Sequence, residues 1–327
     1  MQKKKTYLGI DLGGTKLLIG EVDEEGKVLR SKRYPSLIAS GASQTEVMKD
    51  VVKCIEDYLK EYMLVPGEDF EAIGMGMVGR VDPEEGLWLE IQKPRMETVR
   101  SAEILSERFH VSSGIDNDVR SGAEAERRFG KAKGCDDYIY MNIGTGIGAA
   151  FVNHGQMLTG AHYCGGEVGH NVVNINSDVQ CPCGRMGCAE ALASGMGLHN
   201  RAVSLRQEYP YTALVFPEEG RIDGRKVFEL AEKGDALCIR LADDAVKAVA
   251  GLLENFLWLA DPEKIIMGGG LITDGRILER VQKLMSPMST RFLKDGIEMT
   301  GLDSDFVGLV GAAAVGIRTL ENRRGKE

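Results

Sequence analysis

Short apolar runs broken by glycine open the chain. Over residues 6–35 the pattern TYLGIDLGGTKLLIGEVDEEGKVLRSKRYP predicts strand, Gly-rich turn, strand, a tight turn at 23–26, and strand. The spacing then becomes helical, with Val47, Val51, Ile55, Tyr58 and Leu59 marking a helix over 44–63. Residues 72–78 read as a small-residue strand, 101–109 as a short helix, and 119–129 as a helix ending before Gly130. At Asp137 the opening pattern returns. YIYMNIGTGIGAAFVNHGQML is again strand, Gly-rich turn, strand, turn and strand, and it matches the opening turn for turn. That repeat is far longer than a solenoid unit and predicts two related halves, each starting with a hairpin around glycine. Residues 189–209, 224–233, 236–259, 276–284 and 311–322 read as helices, and a strand over 262–267 leads into Gly268–Gly269–Gly270. No flexible linker separates the halves, so a shared packed cleft is expected. The expected division is 1–117 plus 311–327 against 118–310.

Composition agrees with an α/β reading. A length of 327 residues suits two domains at ~100–200 residues each. With 43% hydrophobic residues, and 41 glycines against 9 prolines, neither disorder nor a proline-rich linker fits. A net charge of −9 argues against a nucleic-acid binder, and the short lysine run at 3–5 reads as a solvated end. No span reaches the ~18 apolar residues of a membrane helix. Asp11 also interrupts the opening apolar stretch too early for a secretory signal. A cytoplasmic protein is expected. Seven cysteines, an odd number, disfavour a disulfide framework.

Two turns carry candidate phosphate chemistry. Gly13–Gly14–Thr15–Lys16 and Gly144–Thr145–Gly146–Ile147–Gly148 each come after an apolar strand. Glycine lets backbone N–H groups approach phosphate oxygens, and threonine and lysine add donors. The residues after each turn are strand-like, which excludes a P-loop and a Rossmann fingerprint. Either turn alone reads as an ordinary tight hairpin. Two on one strand pattern, with a third glycine run at 268–270, resemble the duplicated actin-like ATPase (RNase H-like) architecture. IDLGGTK resembles the first phosphate motif of the sugar kinase, actin and heat-shock ATPase superfamily.

A separate cluster, His170-x10-Cys181-x-Cys183-x4-Cys188, offers one imidazole and three thiols in a short span. Soft ligands in that number suit a closed structural Zn²⁺ site, and the glycines at 184 and 187 supply tight turns. The segments EVGH (167–170) and CPCGRMGCAE (181–190) resemble the E-x-G-H and C-x-C-G-x-x-G-C-x-E motifs of the ROK family (repressors, open reading frames, kinases). With both phosphate turns in place, the resemblance spans essentially the whole chain. ROK repressors carry a DNA-binding helix-turn-helix before the first phosphate motif. Asp11 lies almost at the N-terminus here, which points to the kinase branch.

The resemblance implies ATP-dependent phosphorylation of a hexose at O6. Asp118 in the N-D motif matches the family's catalytic base and Asn117 its sugar-binding asparagine. Taken alone, Asp118 reads as the N-cap of the next helix, and the neighbouring Asp116 would raise its pKa if the two carboxylates faced each other. Glu167, His170 and Glu190 would bind sugar hydroxyls, with His170 also on zinc; taken alone, Glu190 is a solvated helix carboxylate. Asp11 would hold Mg²⁺ through water, Gly13, Gly14, Thr15, Lys16, Gly144, Thr145 and Gly146 would grip phosphate, and Gly269 and Gly270 would sit on the adenosine side. Lys16 could instead be a surface lysine on an edge strand. Homodimers are common in that family, although no residue here argues for one independently.

Three stretches depart from the family pattern. The sugar loop G-x-P-G-x-V-D becomes Gly76-Met77-Val78-Gly79-Arg80-Val81-Asp82, Ile91–Arg95 replaces an Asn-Leu-Pro-type segment, and Val119-Arg120-Ser121-Gly122 comes after the aspartate. Either the substrate differs from plain glucose, with Gln92 or Lys93 reaching a different group, or the loop is reshaped without consequence. An N-acetylhexosamine, fructose or allose kinase is the alternative enzyme, and a non-catalytic sugar sensor the alternative of another class.

Overall fold

The computed structural model describes residues 5–92 and 96–325; the expectations for Lys3, Lys4, Lys93 and Arg95 lie outside the described residues. The chain begins as an antiparallel meander of β1 (Thr6–Leu12), β2 (Lys16–Asp23) and β3 (Val28–Pro35). Ser43 then starts α1 (Gln44–Tyr62) through a capping box with Glu46. β4 (Ala72–Met77) runs parallel to β1, and next comes a small hairpin, β5 (Arg80–Asp82) with β6 (Leu87–Glu90). After α2 (Ser101–Phe109), β7 (Ser112–Asn117) pairs parallel with β4 and leads directly into α3 (Asp118–Phe129). The sheet order is β3-β2-β1-β4-β7.

The second sheet repeats this plan. β8 (Tyr138–Ile143), β9 (Ile147–Asn153) and β10 (Gln156–Met157) form the meander. Helices α4 (Ala189–Ala193), α5 (Gly195–Leu205), α6 (Gly224–Glu232) and α7 (Ala236–Ala260) come next. β11 (Lys264–Gly268) pairs parallel with β8, and after α8 (Arg276–Gln282) and α9 (Pro287–Thr290), β12 (Ile297–Met299) pairs parallel with β11. The order β10-β9-β8-β11-β12 matches the first sheet position for position. The turn-for-turn repeat therefore reflects a duplicated topology. The final helix, α10 (Val307–Arg324), belongs to the first unit.

Packing divides the described residues into 5–134, 160–164 and 301–325 on one side and 135–159 with 165–300 on the other. The boundary falls after α3, not before it, because α3 packs on α10. The short piece 160–164 joins the first unit because Arg80 donates to the His162 carbonyl at 3.4 Å and Asp82 faces the Tyr163 hydroxyl. Two other expectations change. The helix expected over 189–209 breaks at Ser194, whose hydroxyl caps α5 by accepting from the Gly197 amide. The strand β7, SSGIDN, carries no apolar alternation and was not expected.

The core of the first unit is set by contact between α10 and glycine. Gly20, Gly9, Gly74 and Gly114 are direct cross-strand partners on β2, β1, β4 and β7. They form a row free of side chains, and α10 lies along it. A methyl group added at Gly74 would sit 1.8 Å from the Ala312 carbonyl oxygen, one at Gly9 2.4 Å from that of Leu309, and one at Gly114 2.0 Å from Thr319 Oγ1. Glycine in a strand interior here serves close backbone approach. The helix answers with small residues of its own, Gly311 to Ala314 and Gly316, all buried. In the second unit α7 buries thirteen side chains, among them Phe256, which meets Phe151 edge-on at 5.0 Å. Among the described residues no helix is long and apolar enough to cross a membrane.

Gly74→Ala should destabilise the protein by about 3 kcal/mol or prevent folding, since α10 would have to move off the sheet. Gly14→Ala, where an added methyl meets nothing within 4 Å, should stay within about 0.5 kcal/mol of the parent. Urea unfolding of the two variants checks this contrast.

Candidate functional site

The candidate residues of the first unit lie where parallel strands end. Asp11, Gly76 and Asp116 stand level across β1, β4 and β7, and Leu12, Met77 and Asn117 one residue further on. In α/β sheets that edge is where ligands bind. β7 passes into α3 without a loop, so the chain turns at Asn117. Its side-chain oxygen accepts from the Val119 and Arg120 amides at 2.9 and 3.4 Å, which makes Asn117 the N-cap. Asp118 is thus the first helical residue, not the cap. The Asn117 amide group donates to the Gly79 carbonyl at 3.1 Å, tying the predicted sugar loop to this junction. Gly79 itself holds φ +93°, and a methyl there would sit 2.1 Å from the Glu90 carbonyl oxygen, so glycine is required.

The Asp116 carboxylate is taken up by two arginines. It is 1% exposed and turns inward, where Oδ1 accepts from Arg120 Nε at 2.6 Å and Oδ2 from an Arg318 terminal nitrogen at 2.8 Å. Burial alone would raise its pKa, but the two guanidiniums outweigh burial and hold it below the usual carboxylate range. Arg120, 2% exposed, is therefore a buried partner of Asp116, and its departure from the family pattern is not a sugar-facing one. Val78, which replaces the family's proline, donates its N–H to the Leu12 carbonyl at 3.2 Å. Proline could not make that bond.

Asp11 is the last residue but one of β1, beside the first glycine turn. Its carboxylate lies against Gly308 at the start of α10, where an added methyl would sit 2.6 Å from Oδ2. Burial raises its pKa and the nearby Lys16 charge opposes the rise. A carboxylate whose charge is disfavoured by burial suits a cation brought beside it. The turn is closed by the Gly13 amide donating to the Lys16 carbonyl at 2.9 Å. Internal packing does not demand glycine at position 14, where an added methyl would meet nothing within 4 Å. Thr15 and Lys16 are exposed, and β2 lies inside the sheet, so Lys16 is not on an edge strand.

In the second unit, the first two amides of α5 anchor the glycine turn. Gly195 N–H donates to the Gly144 carbonyl at 2.8 Å and Met196 N–H to that of Thr145 at 3.1 Å. Glu190 is no solvated helix carboxylate: its Oε2 accepts from the Ile147 amide at 3.0 Å, and a methyl at Gly146 would sit 2.7 Å from that oxygen. Gly269, at φ +106°, backs onto the Ile143 carbonyl, where a methyl would sit at 2.3 Å. A cavity of about 620 Å³ brings together Gly144, Thr145 and Gly270 with Arg221, Asp223 and Leu271. None of the last three was expected from the sequence. Asp223 caps α6 by accepting from the Arg225 amide, a cap signal that could have drawn attention to this segment.

The cysteine loop sits beside this turn. Cys181 Sγ lies 3.5 Å from His170 Nδ1, Cys183 Sγ lies 3.6 Å from Cys188 Sγ, and His170, Cys181 and Cys183 offer ligand atoms within 4.8 Å of one another. Around tetrahedral Zn²⁺, bonds of about 2.3 Å to sulfur and about 2.0–2.1 Å to nitrogen give edges of about 3.8 and 3.6 Å. The donor set fits. Arg185 hydrogen bonds hold the Cys183 thiol down at about 6, while burial pushes Cys188 up to about 12. A dication would favour the thiolate at both. Gly187, at φ +72°, turns the loop where a methyl would meet the Asn174 carbonyl at 1.9 Å. Glu167 is exposed and begins the short turn that carries His170.

Two five-stranded sheets of one topology, each with a glycine hairpin at the end of its first strand, define the actin-like ATPase fold. A family model described as ROK family matches residues 7–318, and the chain belongs to that family. It is 32% identical over 281 residues to a glucokinase of Thermotoga maritima, covering 84% of this chain and 85% of that one. A Streptomyces griseus ROK family glucokinase, solved in complex with glucose and AMPPNP, is 26% identical with a TM-score of 0.74. That match covers 96% of this chain and 99% of the other. The Escherichia coli DNA-binding transcriptional dual regulator NagC is 25% identical over 319 residues, 96% of this chain and 76% of the regulator.

Two outcomes are expected. Purified protein should carry about one zinc per chain, and Cys181→Ser should lose it and lower the melting temperature; elemental analysis with thermal melts measures both. Because the folded-state pKa of Asp116 is depressed, its contribution is present above the ordinary carboxylate value of ~3.9 and lost as pH falls through the folded value. The stability gap between parent and Asp116→Asn should accordingly be large at pH 5–7 and shrink below pH ~4 in urea titrations.

Proposed function

We propose that this protein is an ATP-dependent sugar kinase that transfers the γ-phosphoryl group to a hexose hydroxyl, at O6, with Asp118 as general base. The observation that carries the reading is the β7–α3 junction. It sets Asp118 in the first helical turn at the strand ends, next to an asparagine bonded to the sugar loop. The glucokinase of Thermotoga maritima and the glucose–AMPPNP complex of the Streptomyces griseus enzyme support it.

In this reading the sugar oxygen attacks the γ-phosphorus as the bond to the β–γ bridging oxygen breaks. ADP leaves with that electron pair, and the hydroxyl proton passes to the Asp118 carboxylate. Thr15, Lys16 and the bare backbone of Gly13 and Gly14 bind phosphate in the first unit, as do Gly144, Thr145 and Gly146 in the second. Gly269 and Gly270 flank the nucleoside. Asp11 would meet the Mg²⁺ carried by ATP, which spreads charge on the β- and γ-phosphates. Glu167, His170 and Glu190 orient sugar hydroxyls, and the zinc loop, holding His170, keeps that group in place. Arg80, engaged with Glu90 at 2.9 Å, and the Val78 amide bond give the sugar loop a shape of its own. An N-acetylhexosamine, fructose or allose therefore stays on the substrate panel. The match to NagC favours a second reading, a sugar-responsive regulator without turnover. Asp118 at a strand end weighs for the kinase.

Asp118→Asn should lower kcat by about 10²–10⁴-fold while sugar affinity stays within tenfold. Coupled ADP assays and calorimetric sugar titration separate the two, and near-normal turnover would remove Asp118 as the base.

A further inference from the structure

We propose that Arg120 is a positioning residue for the sugar loop, clamping it to the junction that bears Asp118; the activity part of this claim rests on the kinase reading. Local preference is against an arginine at this position. It lies in the first turn of α3, where the helix dipole favours anions, and it is buried at a cost in desolvation. Two bonds make sense of it. Nε donates to Asp116 Oδ1 at 2.6 Å, and a terminal nitrogen donates to the Val81 carbonyl at 2.9 Å.

That second bond has a companion. Asn117 holds the Gly79 carbonyl at 3.1 Å, so the loop is gripped at alternate carbonyls, 79 and 81, by residues three apart across the helix start. Arg80, between them, pairs instead with Glu90. Asp116 is fixed from its other side by Arg318 of α10 at 2.8 Å, and Arg318 reaches Glu124 at 3.5 Å. Arg120 is thereby held at one nitrogen by a fixed anion and offers another to the loop. A lysine keeps the charge but has no rigid fork and cannot make both bonds in this geometry.

Arg120→Lys is the test. The sugar KM should rise about tenfold, with the ATP KM and kcat within about twofold, because Asn117 still caps α3 and Asp118 stays in its first turn. Hydrogen exchange gives a readout that needs no activity. Amides of 79–82 should exchange at least tenfold faster in the variant, while those of β1 and β2 exchange as in the parent. An unchanged sugar KM in an active enzyme, or faster exchange spread over the whole first unit, would overturn the clamp. If Arg120→Lys does not fold, the Asp116→Asn/Arg120→Gln double variant, which removes this ion pair together and leaves Arg318 with Glu124, carries the same readouts. If the parent phosphorylates no sugar, the kinase reading falls, and the exchange at 79–82 still decides the clamp.

Discussion

The approach of α10 to a row of four glycines sets the geometry of the first unit. Each glycine removes a side chain that would hold the helix away: at Gly9 and Gly74 the α10 backbone comes against the strand, and at Gly20 and Gly114 the Leu309 and Thr319 side chains fill the space. The consequences run along the helix. Its first turn places Gly308 against the Asp11 carboxylate, and its last turns bring Arg318 to Asp116. Asp116 is buried in that pair while a quarter of the Arg318 side chain stays exposed, and Arg120 shares the carboxylate. The two ends of α10 thus support the two carboxylate-bearing strand ends, β1 and β7, on which the proposed chemistry depends.

The second unit solves a related problem by other means. Its glycine turn is held by the amides of α5 and by Glu190, and Glu190 comes directly after the cysteine loop. One carboxylate oxygen is committed to the Ile147 amide, so the loop and the phosphate turn share a member. A metal in the loop would stiffen this arrangement without entering the reaction.

Features with strong local chemistry were legible in the sequence. The paired glycine hairpins and the periodic helix α1 appear as expected, and the spaced cysteines do come together with His170, because turn glycines, helical periodicity and ligand spacings act within a few residues. What escaped depends on partners far along the chain. SSGIDN forms a strand only because β4 and α10 enclose it. Asp118 looked like a cap because either residue of Asn117–Asp118 has the right chemistry; the bond from Asn117 to Gly79, 38 residues away, belongs to the other assignment. Arg120 read as a departure near the sugar, since no local pattern shows that its partners are Asp116 and Val81. The substrate is harder still, because it depends on loop shape at Gly79–Asp82.

The most direct measurement is ADP release from Mg·ATP across a panel of glucose, mannose, fructose, allose and the N-acetylhexosamines. The account predicts release that depends on one hexose or a narrow set, with phosphate found on O6 of the product. Sugar binding shown by calorimetry with no ADP release from any member would contradict it and identify a sensor instead.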